Sequence, residues 1–314
     1  MIRRLKYLLI SYRFFPLVFL LIIAACGTAR RNETTFLVAA DIHLDSTDVR
    51  AAVVDSVIDL MNSVKGTPVT GVTGKSHNPF GIFMIGDLTE SGRDTQWDQF
   101  TSLFGLNGEK ALSMPVYETF GNHDGNSGGV VREGIAARNS ARSAKVNSSP
   151  NGIHYSFDRG GIHFVVLGSY PGNMWDPECG WCHYFKESFR ESEMSLEFLK
   201  SDLAMNLRNI RQPVVLFFHY GWDDFSLLWW TGKEQEAFAE AIKEYNVAAI
   251  FHGHNHSAAA YKWNSIDVFS SGSPQRGSSV GNFLIVRSDG DSLSVTSVEK
   301  KREVPLGTVS LSGK

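Results

Sequence analysis

Short apolar segments alternate with amphipathic segments along most of the chain. The segments with the length and uniform hydrophobicity of buried strands are 36–40, 80–86, 115–121, 213–220 and 247–253. Apolar residues at helical spacing predict helices over 48–64, 190–208 and 233–246. A hairpin is predicted at 153–168 around Arg159-Gly160-Gly161, and strand-like runs continue from 258 to 298. Strands that alternate with helices in this way predict an α/β fold.

Two segments lack such a pattern. Residues 125–152 are rich in Gly, Ser, Asn and Arg, which predicts a loop or an irregular insertion, and residues 301–314 are expected to form a frayed tail. We recognise no internal repeat and no interdomain linker in the sequence. We therefore expect one domain from 34 to 300, preceded by a signal peptide over 1–25 and a polar tether over 26–33.

The start of the chain has the pattern of an export signal. Residues 1–13 carry four basic residues and no acid, residues 14–25 are continuously apolar, and Cys26 follows directly. The apolar run is short for a membrane-spanning helix and contains Pro16, which would kink one. Because Ile23-Ala24-Ala25-Cys26 resembles the bacterial lipobox, we expect a lipoprotein anchored to a membrane through lipidated Cys26. Its expected place is the bacterial cell envelope, on the outer membrane or facing the periplasm. The alternative is an uncleaved N-terminal anchor.

The charge of the chain bears on its partners. The 314 residues include 30 basic and 33 acidic ones, for a formal charge of −3. Loss of residues 1–25 removes four basic residues and no acid, which takes the charge to −7. A chain this acidic lacks the positive surface that a nucleic-acid backbone requires, so nucleic acid is not an expected partner.

Polar side chains with metal-binding chemistry follow the predicted strands. In strand order they are Asp41 and His43, Asp87, then Asn122, His123 and Asp124, then His219, and finally His252, His254 and His256. In open α/β sheets, ligands bind in the crevice outside the carboxyl ends of the strands. The sequence therefore predicts a metal or ligand site at this edge.

The spaced blocks identify a family. Their order along the chain is Asp41-x-His43, Gly86-Asp87-x-x-Glu90, Gly121-Asn122-His123-Asp124, His219 and Gly253-His254-x-His256. This pattern resembles the calcineurin-like metallophosphoesterase superfamily over residues 36–256. The resemblance implies a four-layer α/β/β/α sandwich, in which two mixed β-sheets are flanked by helices.

The resemblance also implies two divalent metal ions. One would be held by Asp41, His43, Asp87 and His256, and the other by Asp87, Asn122, His219 and His254. Mixed oxygen and nitrogen ligands accept Mn, Fe or Zn. The implied activity is hydrolysis of a phosphomonoester or phosphodiester by a hydroxide that bridges the metals, on a small-molecule or lipid substrate. The alternative is a metal-binding envelope lipoprotein with a binding or scaffolding role and no turnover.

Four further polar residues receive interpretations at this stage. By the family pattern, His123 would stabilise the transition state or protonate the leaving group. Glu90 would orient His123, or it is a solvated loop acid. Asp124 is expected to cap a loop rather than act as a catalyst, and His252 to pack inside the fold or support the site, with contact to the substrate as the alternative.

Two departures from related sequences narrow the subfamily. The protein Ser/Thr phosphatases of the superfamily carry GDxVDRG and GNHE, whereas this chain has GDLTESG and GNHD. Together with the export signal, this difference argues against a cytoplasmic protein phosphatase. Many relatives also have Leu-Asp-Ser or Leu-Asp-Thr where this chain has Leu167-Gly168-Ser169.

The substrate side of the site is less clear from the sequence. Trp222, Trp229 and Trp230 follow His219 closely, with Phe225 among them. They either form an aromatic wall for an apolar or ring-bearing part of the substrate or pack into the core. The arginines of the predicted insertion either reach a second phosphate or are solvated, and they are Arg132, Arg138 and Arg142.

The segment Cys179-Gly180-Trp181-Cys182-His183 is open to several interpretations. C-x-x-C-H is a haem attachment pattern, and C-x-x-C also suits a redox dithiol or half of a zinc site. In an exported chain, two close cysteines favour a structural disulfide between Cys179 and Cys182.

Overall fold

The computed structural model describes residues 33–45, 48–64, 78–172, 190–275, 281–299 and 301–313. The predicted signal peptide, Cys26, and the pair Cys179 and Cys182 lie outside these residues, so what the sequence predicts for them stays a prediction. No helix within the described ranges has both the length and the hydrophobicity needed to cross a membrane.

The described residues form strands and helices that alternate through most of the chain. The strands are β1 (Thr34–Ala39), β2 (Ile82–Ile85), β3 (Val116–Thr119), β4 (Asn147–Ser148), β5 (Tyr155–Arg159), β6 (Ile162–Val166), β7 (Val214–Phe217), β8 (Val247–His252), β9 (Ala259–Trp263), β10 (Ile266–Ser270), β11 (Phe283–Ser288), β12 (Ser292–Glu299) and β13 (Arg302–Ser310). The α-helices are α1 (Asp48–Ser63), α2 (Asp94–Leu103), α3 (Val130–Ala141), α4 (Ser195–Asn206) and α5 (Gly232–Ile242). Short 3₁₀ turns lie at Ser143–Lys145 and Ser226–Trp229.

The strands form two mixed sheets. The first has the order β13-β12-β11-β1-β2-β3, and the second has the order β4-β5-β6-β7-β8-β10-β9. In the first sheet β1, β2 and β3 are parallel, and in the second β6, β7 and β8 are parallel. Parallel neighbours need a crossover, and α1, α2, α4 and α5 lie between successive parallel strands in the sequence. The carboxyl ends of the parallel strands in each sheet therefore lie along one edge of that sheet.

Alternation along β1 shows how the layers are built. Phe36 and Val38 belong to a core that also contains residues of the second sheet, whereas Leu37 and Ala39 pack with residues of α1, α2 and α3. Between the sheets, the rings of Phe83 and Phe217 stack with centroids 3.9 Å apart. A third cluster packs α4 and α5 against the far face of the second sheet. The fold is therefore the four-layer α/β/β/α sandwich that the family resemblance implies.

The segment 125–152, expected to be irregular, contains the helix α3. Few apolar residues of α3 are buried. Much of the side of α3 that faces the sheet is held by ion pairs instead. Arg138 Nε lies 2.9 Å from Glu118 Oε1, and Arg142 Nη2 lies 3.0 Å from both carboxylate oxygens of the fully buried Glu118. A helix attached to a strand by buried charges gives only a weak hydrophobic period.

The expectation of a frayed tail at 301–314 is also wrong. Residues 302–310 form β13, which pairs with β12 from Glu299↔Arg302 to Ser292↔Ser310. β13 is an edge strand whose residues are mostly exposed, and a bulge between Val295 and Thr296 shifts its register. Because most of its residues are exposed, β13 shows no clear alternation of polar and apolar side chains. Val309, and Leu311 just after the strand, nevertheless reach the core between the sheets.

Candidate metal centre

The loops after β1 and β2 lie side by side and bring two carboxylates together. The main-chain N–H of Asp41 donates to the carbonyl of Gly86 at 3.0 Å, and that of His43 donates to the carbonyl of Asp87 at 2.9 Å. Asp41, His43 and Asp87 are buried at the carboxyl ends of parallel strands. The hydrogen bonds between the loops thus fix the acidic pair at the edge that the sequence predicts.

Several of these residues have unusual backbone conformations. Five of the predicted ligands have φ in the left-handed region, and they are Asp41 (56°), His43 (46°), Asp87 (51°), His254 (75°) and His256 (55°). Left-handed conformations are costly for residues with a side chain and tend to occur at functional sites. Here the chain turns sharply as each strand ends, which directs these side chains into the same small volume.

One group of possible ligands comes from β1, β2 and β8. Asp41, His43, Asp87 and His256 each place a ligand atom within 4.8 Å of the others. The Nε2 atoms of His43 and His256 are 3.1 Å apart, and His256 Nε2 lies 3.5 Å from Asp41 Oδ1. Imidazole nitrogens and carboxylate oxygens at this spacing are able to surround a divalent ion.

A second group shares Asp87 with the first. Asp87, His219 and His254 again place ligand atoms within 4.8 Å of one another, and all three are buried. His219 Nε2 lies 3.3 Å from Asp87 Oδ2 and 3.2 Å from Asn122 Oδ1, so the predicted amide ligand belongs to this group as well. The shared carboxylate is what a two-metal site requires.

Hydrogen bonding prepares His219 to act as a ligand. Its Nδ1 donates to the main-chain carbonyl of Ile85 at 3.0 Å, because a carbonyl oxygen only accepts. Nε2 is then the atom that faces Asp87 and Asn122. A backbone carbonyl that holds the opposite ring nitrogen is the usual way in which proteins orient a metal-binding imidazole.

His254 provides a test of whether a cation fits. Its Nε2 is buried and has no hydrogen-bond partner among the described residues. Burial, together with the nearby His219, lowers the pKa of His254 well below its ordinary value, so the ring is neutral, and in the tautomer protonated at Nδ1 the Nε2 atom carries a lone pair. A buried nitrogen lone pair without a partner is unfavourable unless it binds something, and a divalent metal suits it.

The pKa values of His219 and Asp87 also indicate that the site favours a cation. Burial opposes a charge on this imidazole, but Asp87 and Asp41 outweigh burial and raise its pKa to about 9. Burial also works against the Asp87 carboxylate, yet His219 and His43 hold its pKa well below the ordinary value. The acidic pair therefore creates a negative potential that favours positive charge between the strand ends.

His123 and Glu90 lie at the open side of the two groups. The Nδ1 of His123 donates to the main-chain carbonyl of Glu90 at 2.8 Å, and its backbone N–H donates to Asp87 Oδ1 at 2.9 Å. The Glu90 carboxylate contacts His43, with Oε2 at 3.3 Å from His43 Nδ1, and ligand atoms of His43, Glu90 and His123 lie within 4.8 Å of one another. Glu90 therefore holds His123 through its backbone carbonyl, and its carboxylate lies beside both His43 and His123.

Asp124 joins the loops after β2 and β3. Its oxygens accept the N–H groups of Leu88 at 3.1 Å, Thr89 at 2.8 Å and Gly121 at 2.9 Å, and they also accept the Thr89 hydroxyl. This confirms the loop-capping role predicted for Asp124. His252 is buried, and its Nε2 lies 2.8 Å from the Tyr261 hydroxyl. It is therefore a histidine packed inside the fold, and it does not belong to either group of possible metal ligands.

Glycines allow the close approach of these groups. A Cβ on Gly121 would lie 2.3 Å from Asp87 Oδ1, and one on Gly253 would lie 2.8 Å from Asp41 Oδ2. The family departure at Gly168 has a similar explanation, because a Cβ there would lie 2.3 Å from Cζ of the buried Phe120. The Phe120 ring occupies the space that a larger residue at position 168 would need.

The aromatic segment after His219 divides into two parts. Trp222 and Trp230 are buried in the cluster beneath α4 and α5, and Trp222 stacks on Trp263 with centroids 4.1 Å apart. They are core residues, so of the two alternatives the core one holds for this pair and the substrate wall does not. Trp229 is also buried, but the edge of its ring meets the ring of His254 at 5.3 Å. Phe225 stacks on His254 at 4.8 Å while 52% exposed.

The arginines of α3 and of the turn after it are paired with carboxylates. Arg138 and Arg142 pair with Glu118, as described above. Arg132 is buried and pairs with Glu191 at 2.7 Å and Glu193 at 2.9 Å. The structure supports neither solvation nor phosphate binding for these arginines, since Glu118 is fully buried and Glu191 and Glu193 are partly buried.

A comparison with known families agrees with this geometry. A profile described as calcineurin-like phosphoesterase matches residues 34–258. The chain belongs to this family. Members of the calcineurin-like phosphoesterase family depend on two metal ions, and the clustered His and Asp residues of this chain could bind them.

Curated relatives match only part of the chain. Purple acid phosphatase 15 from Arabidopsis thaliana is 30% identical over 115 residues, which is 35% of this chain and 18% of that protein. Purple acid phosphatase 23 from the same plant is 24% identical over 148 residues, which is 46% of this chain and 29% of that protein. The chain thus spans less than a third of the length of either relative.

Solved structures share the fold over nearly the whole chain. A dimetal phosphatase from Danio rerio superposes with a TM-score of 0.62 at 15% identity, covering 89% of this chain and 99% of that one. GAP50, the anchor in the inner membrane complex of Plasmodium, superposes with a TM-score of 0.51 at 12% identity, covering 90% and 89%. At these identities the likeness is one of fold.

Proposed function

We propose that the chain is a hydrolase of phosphomonoesters or phosphodiesters that depends on two divalent metal ions. The observation that carries this proposal is the pair of ligand groups that share Asp87, in which each residue except the partly exposed His256 is buried. In the proposed assignment Asp41, His43, Asp87 and His256 hold one ion. Asp87, Asn122, His219 and His254 hold the other. The mixed donors suit Mn, Fe or Zn.

The residues of the chain would divide the work as follows. When bound, two divalent ions act as Lewis acids, neutralise charge on phosphoryl oxygens and activate water for attack on phosphorus. His123 is held through Nδ1 by the carbonyl of Glu90, which leaves Nε2 as the atom able to donate a proton to a leaving oxygen. The His43 ring lies edge-on to the His123 ring at 4.6 Å and limits its movement.

The test combines metal analysis with a substrate panel. The protein, loaded with Mn, Fe or Zn, is assayed on chromogenic phosphomonoesters and phosphodiesters, and bound metal is counted by mass spectrometry. Turnover with two ions per chain is expected. Asp87→Asn should lose both ions, and His256→Ala should chiefly lose one. Asp98→Asn, at an exposed position of α2, serves as the control, with metal content and rates unchanged.

Two results would contradict the proposal. Two ions retained in Asp87→Asn would exclude the shared ligand. A protein that binds two ions but turns over nothing on the broad panel would exclude hydrolysis and favour a binding or scaffolding role.

We also propose that the protein is exported and anchored to the cell envelope through lipidated Cys26. The basic start, the apolar run and the lipobox-like tetrapeptide support this proposal. Fatty-acid labelling in cells should mark the wild-type protein and spare Cys26→Ser. Equal labelling of both proteins, or none of either, would contradict it.

A further inference from the structure

Phe225 is an exposed aromatic residue in contact with a proposed metal ligand. Its ring stacks on the ring of His254 at 4.8 Å with an interplanar angle of 26°, and 52% of the residue is exposed. Among the described residues, the other rings around His254 are those of His219, Tyr220 and Trp229, which are buried and meet it edge-on. Phe225 is therefore the member of this aromatic group with open surface for a further ring.

The loop that carries Phe225 is held firmly. Asp223 Oδ1 accepts the N–H groups of Phe225 and Ser226, both at 3.1 Å. The N–H of Trp222 donates to the Tyr261 hydroxyl at 2.8 Å, and Trp222 itself stacks on Trp263. The exposed ring is thus presented by a fixed backbone, which lowers the entropic cost of stacking a ligand on it.

The surrounding charges favour a neutral ring over a second phosphate. Asp223 and Asp224 directly precede Phe225 in the sequence and would repel an anion. The arginines Arg132, Arg138 and Arg142 are engaged by buried or partly buried carboxylates. An aromatic ring of a ligand, in contrast, would gain binding free energy by offset stacking on an exposed aromatic face.

We propose that Phe225 is a specificity-determining residue that stacks a flat ring in the leaving group of the substrate. This inference rests on the proposed hydrolytic function and narrows its substrate class to phosphoesters of ring-bearing alcohols. The Phe225 ring is in direct contact with His254, which places a ring nitrogen within 4.8 Å of ligand atoms of Asp87 and His219. A ring attached near the phosphoryl group reaches Phe225 while the phosphoryl group lies at those ligands.

A matched pair of substrates separates stacking from general hydrophobicity. Benzyl phosphate and cyclohexylmethyl phosphate are both esters of primary alcohols, but only the first has a flat ring. They are used as monoesters or as methyl diesters, whichever the metal-loaded enzyme hydrolyses. The wild type should have the higher kcat/KM for the benzyl ester, with the difference residing in KM.

Three variants complete the experiment. Phe225→Leu keeps an apolar side chain and should lower the benzyl-to-cyclohexylmethyl ratio of kcat/KM about fivefold, the factor expected for one aromatic pair. Phe225→Tyr should keep the ratio. Leu228→Ala removes another exposed apolar side chain from the same turn and should leave the ratio unchanged. Metal content is measured in each variant, because Phe225 touches His254.

Binding gives a measurement that does not depend on turnover. Benzylphosphonate and cyclohexylmethylphosphonate, which resist hydrolysis, are titrated calorimetrically into the metal-loaded protein and its variants. A preference for the benzyl compound that Phe225→Leu removes supports stacking even if no ester is hydrolysed, in which case only the hydrolytic function fails. Equal effects of Phe225→Leu on both compounds, or an equal effect of Leu228→Ala, would overturn the role of Phe225.

Discussion

Replacing Gly168 with alanine is a direct test of how tightly the ends of the strands are packed. The added Cβ would lie 2.3 Å from Phe120 Cζ, 2.5 Å from Phe120 Cε1 and 3.2 Å from His154 Cε1. Ordinary contacts begin near 3.4 Å, so the Phe120 ring must move by about 1 Å within a close-packed core. Phe120 is fully buried and also carries Arg132 over its ring at 4.2 Å, which limits that movement.

Overpacking of this kind costs about 1–3 kcal/mol. We expect Gly168→Ala to lower the free energy of unfolding by ~2 kcal/mol and the melting temperature by about 4–8 °C. Urea denaturation followed by circular dichroism, at a fixed metal concentration, measures the first quantity. The metal concentration must be fixed because a ligand that binds the folded state adds to apparent stability.

Gly232→Ala is the matched control. A Cβ on Gly232 meets nothing within 4 Å, and the residue begins α5, so the change should be neutral or stabilise by about 0.4–1 kcal/mol. In a Phe120→Leu background, the cost of Gly168→Ala should shrink, because the smaller side chain leaves room. Unchanged stability of Gly168→Ala, or an undiminished cost in the Phe120→Leu background, would refute this account of the packing.

Two further substitutions have predicted effects on stability. Glu118→Gln leaves the guanidinium groups of Arg138 and Arg142 without a buried counter-charge, so thermal unfolding should show a loss of about 3–5 kcal/mol, whereas a loss below ~1 kcal/mol would contradict the buried ion pairs. His163 lies between Asp158 at 2.7 Å and Asp202 at 2.8 Å, and although burial opposes the charged form, these carboxylates raise its pKa above 6.5. A histidine whose pKa is higher in the folded state than in the unfolded state stabilises the fold. This contribution is complete at a pH below the unfolded-state pKa, and it is lost as the pH rises through the folded-state pKa. The stability difference between wild type and His163→Gln should therefore shrink as pH is raised from 6.5, and a difference that grows instead would contradict the charged imidazole.

The parts of the fold that the sequence predicts are those with a local signal. The strands β1, β2, β3, β7 and β8 are short apolar runs followed by polar residues, so their position and their meeting at one edge are both readable. The clustering of the predicted ligands follows, because each is tied to the end of such a strand. Asp124 is similar, since aspartate commonly accepts hydrogen bonds from loop backbones.

The parts that the sequence misses depend on contacts between distant residues. α3 is held by Glu118 from β3, and β13 is an exposed edge strand defined by its pairing with β12. Neither α3 nor β13 therefore shows a clear hydrophobic periodicity in its own sequence. The same limit explains why Phe225 cannot be separated in advance from Trp222 and Trp230, since all are aromatic residues of one segment and only tertiary packing decides which is exposed.

The left-handed backbone at five predicted ligands limits which substitutions this protein can accept during evolution. Each such conformation costs on the order of 1 kcal/mol, and a folded domain is stable by only about 5–15 kcal/mol in total. Glycine would relieve the steric part of that cost at Asp41, His43 or Asp87, but it would delete the side chain for which the conformation exists. Stability and function therefore oppose one another at the strand ends, and substitutions that stabilise the protein without harming the site must be sought elsewhere in the fold.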